Sequence, residues 1–171
     1  MRRQPTSQII FSLVWAAPIL LLAIYLAFKV GLWVDRVLNF PSPFIEPANL
    51  VFGLILWAAF LPLYYLGVYY LILRGGGSPN PWQASPVNLV TTGPYKYIRH
   101  PMNLSYPFLI LGIAAFLNSF SAVFFVTPAS ALIFWYHGLV IQEGGLIKQF
   151  GKEYLDYKHK TGAFIPKFLR Q

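Results

Sequence analysis

Four long apolar segments, separated by shorter polar ones, limit what this sequence can fold into. About 20 apolar residues in a helix cross the hydrocarbon core of a membrane, because each residue rises about 1.5 Å. Only 11% of the 171 residues are charged, whereas a soluble domain has about 25%. So few charged residues cannot form the polar surface that a soluble protein of this size needs. We therefore predict an integral membrane protein. The apolar segments are residues 9–28, 50–73, 103–117 and 121–141.

The break between the third and fourth segments predicts a tight helical hairpin, because only Asn118-Ser119-Phe120 separates them. Membrane helices tolerate internal prolines when neighbouring helices satisfy the freed carbonyl groups. We therefore expect an all-α polytopic bundle of four transmembrane helices, forming a single domain over residues 1–171. The four prolines, one in each segment, are Pro18, Pro62, Pro107 and Pro128.

The distribution of Lys and Arg orients the predicted bundle. Eleven basic residues lie in the amino terminus, the loop 74–102 and the tail 142–171, against two in the first connection. Because basic loops stay in the cytoplasm, we predict that both termini are cytoplasmic. The 20-residue first segment exceeds a signal-peptide core, so it is expected to be a retained span. The small size and brief tail favour a prokaryotic inner-membrane protein.

The net charge of +8 comes from basic residues that flank apolar runs. This placement indicates an anionic membrane surface rather than nucleic acid as the partner. The absence of cysteine excludes disulfides, thiolate catalysis and cysteine-based metal sites. The three histidines lie far apart without an acidic cluster, so no metal site is expected.

A motif whose side chains could bind a ligand or take part in catalysis lies at residues 92–102, where the loop re-enters the membrane. Arg99 offers a planar fork for a carboxylate or phosphate, His100 can donate, accept or ligate, and Pro101 fits the first turn of a helix. The alternative is structural: a snorkelling Arg, an interfacial His and a helix-starting Pro.

The tail predicts one amphipathic helix from Glu143 to about Lys160. Glu143 lies in the middle of its apolar face, where it could hold a ribose diol, pair with Arg99 or accept a proton. Its structural alternative is a negative charge near a helix start. The residues that share this face are Glu143, Leu146, Ile147, Phe150, Tyr154 and Tyr157.

Three further groups are weaker candidates. Gly75 to Gly77 would let backbone N–H groups approach a ligand, or would form a flexible joint. Trp82, Tyr95 and Tyr97 could stack on a base or face a cation, or belong to an interfacial aromatic belt. His137, inside the fourth segment, is a secondary candidate.

The stretch Gly93-Pro94-Tyr95-Lys96-Tyr97-Ile98-Arg99-His100-Pro101-Met102 resembles the signature of the isoprenylcysteine carboxyl methyltransferase and phospholipid methyltransferase superfamily. The tail is similar to the carboxy-terminal pattern of that family. The matching tail residues are Glu143, Leu146, Phe150, Gly151, Glu153, Tyr154, Tyr157, Ile165 and Pro166.

The resemblance implies a membrane methyltransferase with S-adenosylmethionine (SAM) as methyl donor and a lipid or lipophilic small molecule as acceptor. The family's Arg-His-Pro turn corresponds to Arg99, His100 and Pro101. Its Glu-Glu pair corresponds to Gln142 and Glu143, so one acid is retained. The Tyr that commonly follows the Pro-Met pair is Asn103 here.

The resemblance assigns Arg99, Glu143 and His100 to catalysis. Arg99 is expected to pair with the SAM carboxylate, Glu143 to hold its ribose or ammonium, and His100 to shape the pocket. Tyr95, Pro101 and Gln142 complete the expected cofactor pocket. Gly75 and Gly77 correspond to a Gly-x-Gly element of the phospholipid branch.

Two other classes of function remain open. A non-catalytic membrane module of the same fold is favoured by the acid replaced at Gln142. A transporter or channel subunit would show repeated halves and charges deep in several spans, and the sequence has neither.

Overall fold

A computed structural model describes residues 17–76 and 86–167 of the chain. Within these residues the chain forms helices and an isolated bridge between Ile98 and Gly162. We number the α-helices α1 to α6. They are α1 Ala17–Leu38, α2 Ala48–Tyr70, α3 Pro101–Phe116, α4 Thr127–Tyr136, α5 Glu143–Phe150 and α6 Lys152–Lys160.

Two of the described helices are long and apolar enough to cross a membrane. The first is Ala48–Gly75, in which α2 continues through a π-helical turn. The second is Ala122–Phe150, which joins α4 and α5 through π-helical segments. Helix α3 is apolar but shorter.

Two of the helices extend beyond the apolar segments from which the spans were predicted. Helix α1 continues to Leu38 instead of ending at Phe28, because polar residues such as Lys29 and Asp35 do not interrupt helical geometry. The fourth predicted segment does not end at Ile141 but continues through Glu143. Glu143 is therefore not near a free helix start. Residues 9–16 of the first predicted segment lie outside the described residues, as do the basic residues Arg2, Arg3 and Arg170.

Close packing of α2 against α3 forms the centre of the bundle. Small residues in membrane helices allow such close approach, and a Cβ on Gly53 would lie 2.5 Å from the Phe116 ring. A Cβ on Gly112 would lie 2.5 Å from Trp57, whose indole N–H donates to the Leu109 carbonyl at 3.1 Å. At the other end of this antiparallel pair Gly67, near the end of α2, packs against Pro101 and Met102, so Arg99 and His100, which directly precede α3, lie next to the end of α2.

The opposite end of the bundle is closed by hydrogen bonds to the predicted hairpin. The Asp35 carboxylate accepts from the Ser119 hydroxyl and from the Ser121 backbone N–H, at 2.5 and 2.9 Å. Asn118, at a positive φ of 49°, exchanges two hydrogen bonds with the Phe44 backbone. The predicted hairpin is confirmed, and it returns the chain to the end of the bundle that carries the motif.

Gly151 divides the predicted tail helix in two. Its φ of 51° and ψ of −122° lie in a region that side chains disfavour. The single amphipathic helix from Glu143 to Lys160 was therefore wrong, since the chain changes direction between α5 and α6. This change directs α6 back over the start of α3.

Candidate active site

The tail holds the Arg99-His100 backbone in place. The Arg99 N–H donates to the Gly162 carbonyl at 2.8 Å, and the His100 N–H donates to the Ala163 carbonyl at 3.1 Å. Gly162 is required there, because a Cβ would collide with the carbonyl oxygen of Ile165. The chain after α6 thus pairs with the chain before α3 and fixes where both side chains begin.

The Glu143 carboxylate is the centre of the site. Its exposed fraction is 2%, and three basic side chains meet it. Arg99 donates to Oε1 from Nε at 3.0 Å and from Nη2 at 2.7 Å, and His100 Nε2 lies 3.1 Å from the same oxygen. Lys158 Nζ lies 2.5 Å from Oε2. A buried carboxylate is tolerated only with such partners.

Arg99 also binds the tail. Its Nη1 donates to the carbonyl oxygens of Lys158 and Thr161, so the guanidinium makes four hydrogen bonds with its five N–H donors. The snorkelling alternative for Arg99 was wrong, because its exposed fraction is 9%. Arg99 pairs with Glu143, which is one of the three roles left open for this acid, and it joins the start of α3, α5 and the tail.

The two positions where the sequence departs from the family pattern contact each other. Asn103 Nδ2 donates to Gln142 Oε1 at 2.8 Å. The Asn103 side chain also lies against Gly138, where a Cβ would approach Nδ2 to 2.5 Å. The Oδ1 of Asn103 is buried without a hydrogen-bond partner. An unpaired buried acceptor is costly, so this atom is available to a ligand donor.

The buried Tyr154 and the half-buried Tyr157 of α6 line the same region. Burial raises the pKa of both Tyr154 and Tyr157 above the usual range of a phenol. The Tyr157 hydroxyl therefore stays protonated and donates to the Tyr95 carbonyl at 2.6 Å. This contact fastens α6 to the 3₁₀ turn Gly93–Lys96 that precedes Arg99.

The structure brings Arg99, His100, Glu143 and Gln142 together. Pro101 is buried at the first turn of α3, as predicted. The Tyr95 hydroxyl instead donates to the Gly67 carbonyl on α2 at 3.3 Å. The weaker aromatic candidate Tyr97 lies beside the Lys96 ammonium.

Two of the three candidate glycines lie within the described residues, and Gly76, at a φ of 59°, ends the π-helical turn Leu71–Gly75. Gly75 packs against Val90 and Pro86, where a Cβ would lie 2.9 and 3.1 Å from their side chains. Gly77 and Trp82 lie outside the described residues.

Sequence reasoning missed Lys158, Asn103 and Thr161 as members of the site. Lys158 follows Tyr154 by four residues, so it shares a helix face with it, and this spacing was a usable signal. Thr161 participates through its carbonyl oxygen, for which a sequence carries no signal. Within the described residues no group of three or more His, Cys, Asp or Glu side chains could hold a metal ion.

The described residues form an all-helical protein with a buried Arg–His–Glu cluster at one end of its bundle. Its fold matches the solved structure of the eukaryotic intramembrane Ras methyltransferase ICMT (isoprenylcysteine carboxyl methyltransferase) with a TM-score of 0.55. The match has 22% identity and covers 89% of this chain and 52% of that chain.

The chain belongs to the phospholipid methyltransferase family, whose model matches residues 48–153. The resemblance found in the sequence motifs is thereby confirmed. Members of this family are integral membrane proteins, which agrees with the two apolar helices of this chain.

Two curated relatives share about half of the chain. The nickel-cobalt-cadmium resistance protein NccN of Alcaligenes xylosoxydans xylosoxydans is 34% identical over 79 residues, which are 46% of this chain and 36% of that protein. Methanethiol S-methyltransferase 1 of Bradyrhizobium diazoefficiens is 32% identical over 84 residues, 49% of this chain and 28% of that protein. The chain thus spans about a third of the length of these relatives.

Proposed function

We propose that this protein is an integral membrane, SAM-dependent methyltransferase that acts on a lipophilic acceptor at the cytoplasmic membrane face. The observation that supports it best is the buried Glu143 carboxylate, held by Arg99 and His100 at the end of a helix long enough to cross a membrane. The acceptor class includes an isoprenylcysteine carboxylate, a phospholipid amine or a related group.

The site fits the polar groups of SAM. Its acid can accept from the ribose hydroxyls or the ammonium of the donor, and the unpaired Oδ1 of Asn103 can accept another hydrogen bond. Glu143 would hold the cofactor, His100 and Gln142 would shape the pocket, and Arg99 would position Glu143. When bound, SAM supplies an electrophilic methyl group on a sulfonium for in-line displacement.

The chain's own part in the reaction is to position the acceptor and to manage its proton. Positioning and exclusion of water supply much of the rate of such a displacement. A carboxylate acceptor needs no base. For an amine, phenol or thiol acceptor, His100, whose Nε2 lies 3.1 Å from Glu143 Oε1, would be the proton acceptor.

An apolar cavity supports a lipophilic acceptor. It has a volume of about 990 Å³ and lies between α1, α3 and the helix Ala122–Phe150. Its lining includes Ile24, Ala27, Ile110 and Phe134. Its lining is almost wholly apolar and suits an acyl or prenyl chain, and Phe134 lies on the same continuous helix as Glu143.

The proposal includes four membrane spans with both termini cytoplasmic. Helix α1 and α3 would complete the bundle beside the two longer helices, and α3 starts and ends against α2 through Gly67 and Gly53. The excess of basic residues in the loop 74–102 and the tail supports a cytoplasmic position for the site.

A non-catalytic membrane module of the same fold is the second candidate. The neutral Gln142 favours it, because the family pattern has an acid at this position, and its side chain is already occupied by Asn103. Such a module would bind a ligand or partner in the pocket without transferring a methyl group.

Titration calorimetry of detergent-purified protein with S-adenosylhomocysteine, the product form of the cofactor, tests the proposal. We expect micromolar binding, weakened about tenfold to a hundredfold in Glu143→Gln, because one hydrogen bond to a charged group is lost. Asp156→Asn, which neutralises an exposed acid on α6, is the matched control and should bind like the unaltered protein.

Labelled SAM supplied to membranes with isoprenylcysteine, phospholipid and thiol acceptors then tests turnover. Transfer to any of them supports the enzyme. Binding without transfer to these acceptors would favour the non-catalytic module. Absence of cofactor binding in folded protein would contradict the enzyme and favour a non-catalytic module that binds another ligand or partner.

A further inference from the structure

Lys158 is the third basic residue of the site. The sequence motifs assigned roles to Arg99 and His100 but not to Lys158. Its ammonium lies 2.5 Å from Glu143 Oε2, and its side chain is 41% exposed, against 7% for Arg99 and 4% for His100. The three basic partners of the carboxylate therefore differ in their exposure to solvent. Arg99 and His100 hold Oε1 from inside the protein, whereas Lys158 reaches Oε2 from the solvent side.

Arg99 is already committed within the protein. Four of its hydrogen bonds go to Glu143 and to the carbonyl oxygens of Lys158 and Thr161. Redirecting it to a ligand would leave a buried carboxylate and the tail without their partners, at a cost of about 3–5 kcal/mol for the charge pair alone. Arg99 is therefore poorly suited to take the carboxylate of a ligand.

Lys158 can leave Glu143 at much lower cost. The half-exposed Lys158 ammonium, on a flexible stem, can be hydrated when it leaves the ion pair, whereas the buried Arg99 guanidinium cannot. The departure of Lys158 opens Oε2 to a ligand donor, while Arg99 and His100 continue to hold Oε1. Glu143 can therefore exchange Lys158 for a ligand donor while Arg99 and His100 keep its carboxylate in place.

The charges of the cluster indicate what the released ammonium would bind. Arg99 and Lys158 carry two positive charges against the single negative charge of Glu143. When a ligand ammonium or hydroxyl takes Oε2, the displaced Lys158 remains beside it as an unpaired cation. An amino-acid group has an ammonium and a carboxylate on the same carbon, so it offers a partner to both side chains at once.

We propose that Lys158 binds the carboxylate of the methyl donor's amino-acid group, exchanging Glu143 for it when the donor enters the site. The inference rests on the proposed function, since it concerns how the same site holds SAM. It makes Lys158 the residue that recognises the carboxylate, and Arg99 a positioning residue that acts through Glu143.

Calorimetry with SAM and with decarboxylated SAM, which lacks only the carboxylate, tests the exchange. In Lys158→Met, affinity for SAM should fall about tenfold or more, the loss of one charge-assisted hydrogen bond. Affinity for decarboxylated SAM should change less than about twofold. Lys158→Arg, which keeps the charge, should recover most of the affinity for SAM.

Lys152→Met is the matched control, because it removes an exposed lysine from the same helix. It should leave both affinities unchanged. An equal loss for both ligands in Lys158→Met would show that Lys158 only supports the fold, and stronger SAM binding would show that it only blocks the site. Either result would overturn the inference while keeping the proposed function. If the unaltered protein bound neither ligand, both would fail.

Discussion

At the scale of single residues, the site depends on one buried acid. Removing a carboxylate from water is costly, and Glu143 is stable at 2% exposure because Arg99, His100 and Lys158 surround it. The same partners tie three parts of the chain together. The acid thus stabilises the folded tail and provides the ligand site, and substitutions there are expected to affect both properties.

Asn103 and Gln142 form a second pair of linked residues. We expect Asn103→Ala and Gln142→Ala each to lower the thermal midpoint, because each leaves a partly buried polar group without its partner. In the double variant the losses should not add, with a coupling of about 0.5–1.5 kcal/mol for one neutral hydrogen bond.

Thermal unfolding of the four proteins in one detergent measures this coupling. Strictly additive effects would mean that the 2.8 Å contact contributes nothing to stability. Nonadditive effects would show that Asn103 and Gln142 stabilise the fold through their mutual contact. Gln142→Glu keeps an acceptor for Asn103 Nδ2, so it should preserve the fold.

At the scale of secondary structure, the helix Ala122–Phe150 orients the site residues Gln142 and Glu143. Its π-helical segment His137–Gln142 directly precedes Glu143, and such segments occur frequently at functional sites. Because a π-helix has a wider turn, it changes which side chains face α3. Gln142 meets Asn103, and Glu143 meets His100, from adjacent positions on one helix.

The break at Gly151 sets the direction of α6. Gly151→Ala should destabilise the protein by about 1–3 kcal/mol, because a Cβ is strained at φ 51° and ψ −122°. No neighbouring atom lies within 4 Å of a Cβ built there, so the effect comes from the backbone. We also expect weaker cofactor binding, because α6 carries Lys158.

Gly144→Ala is the matched control, since a Cβ there also meets no neighbour within 4 Å but the residue lies inside α5. It should stabilise the protein by about 0.5–1 kcal/mol through helix propensity. Thermal midpoints in detergent compare the two variants. Equal effects of the same sign would contradict the role given to Gly151.

At the scale of the whole molecule, polar residues gather at two opposite ends of an apolar bundle. One end has the Asp35 and Asn118 hydrogen bonds, and the other has the Arg99–Glu143 cluster. The proposed orientation puts the Arg99–Glu143 end in the cytoplasm. There a water-soluble methyl donor and a membrane-embedded acceptor can meet.

The absence of native cysteine makes the orientation directly measurable. Ile45→Cys, at a residue that is 85% exposed, should react with a membrane-impermeant maleimide in intact bacterial spheroplasts. Lys152→Cys, at the site end, should react only after the membrane is permeabilised. The unaltered protein is the unlabelled control. The reverse pattern would place the site on the outer face and contradict the proposed orientation.

Much of the architecture was predictable because its signals are local in the chain. Apolar segments of about 20 residues predict membrane helices wherever they occur, and the hairpin at Asn118 and the start of α3 at Pro101 follow from short-range rules. The two motifs also identified the family. Helix ends were less predictable, since α1 and the helix Ala122–Phe150 continue through polar residues.

The partners within the site depend on contacts across long stretches of chain, which sequence patterns do not encode. Arg99 and Glu143 were each visible as candidates, but Lys158 joins them only because Gly151 turns α6 back over α3. The Arg99 contacts with the Lys158 and Thr161 carbonyls use backbone atoms that every residue possesses. The chain's composition and motifs therefore specify a membrane protein of this family, whereas its packing specifies which charges meet.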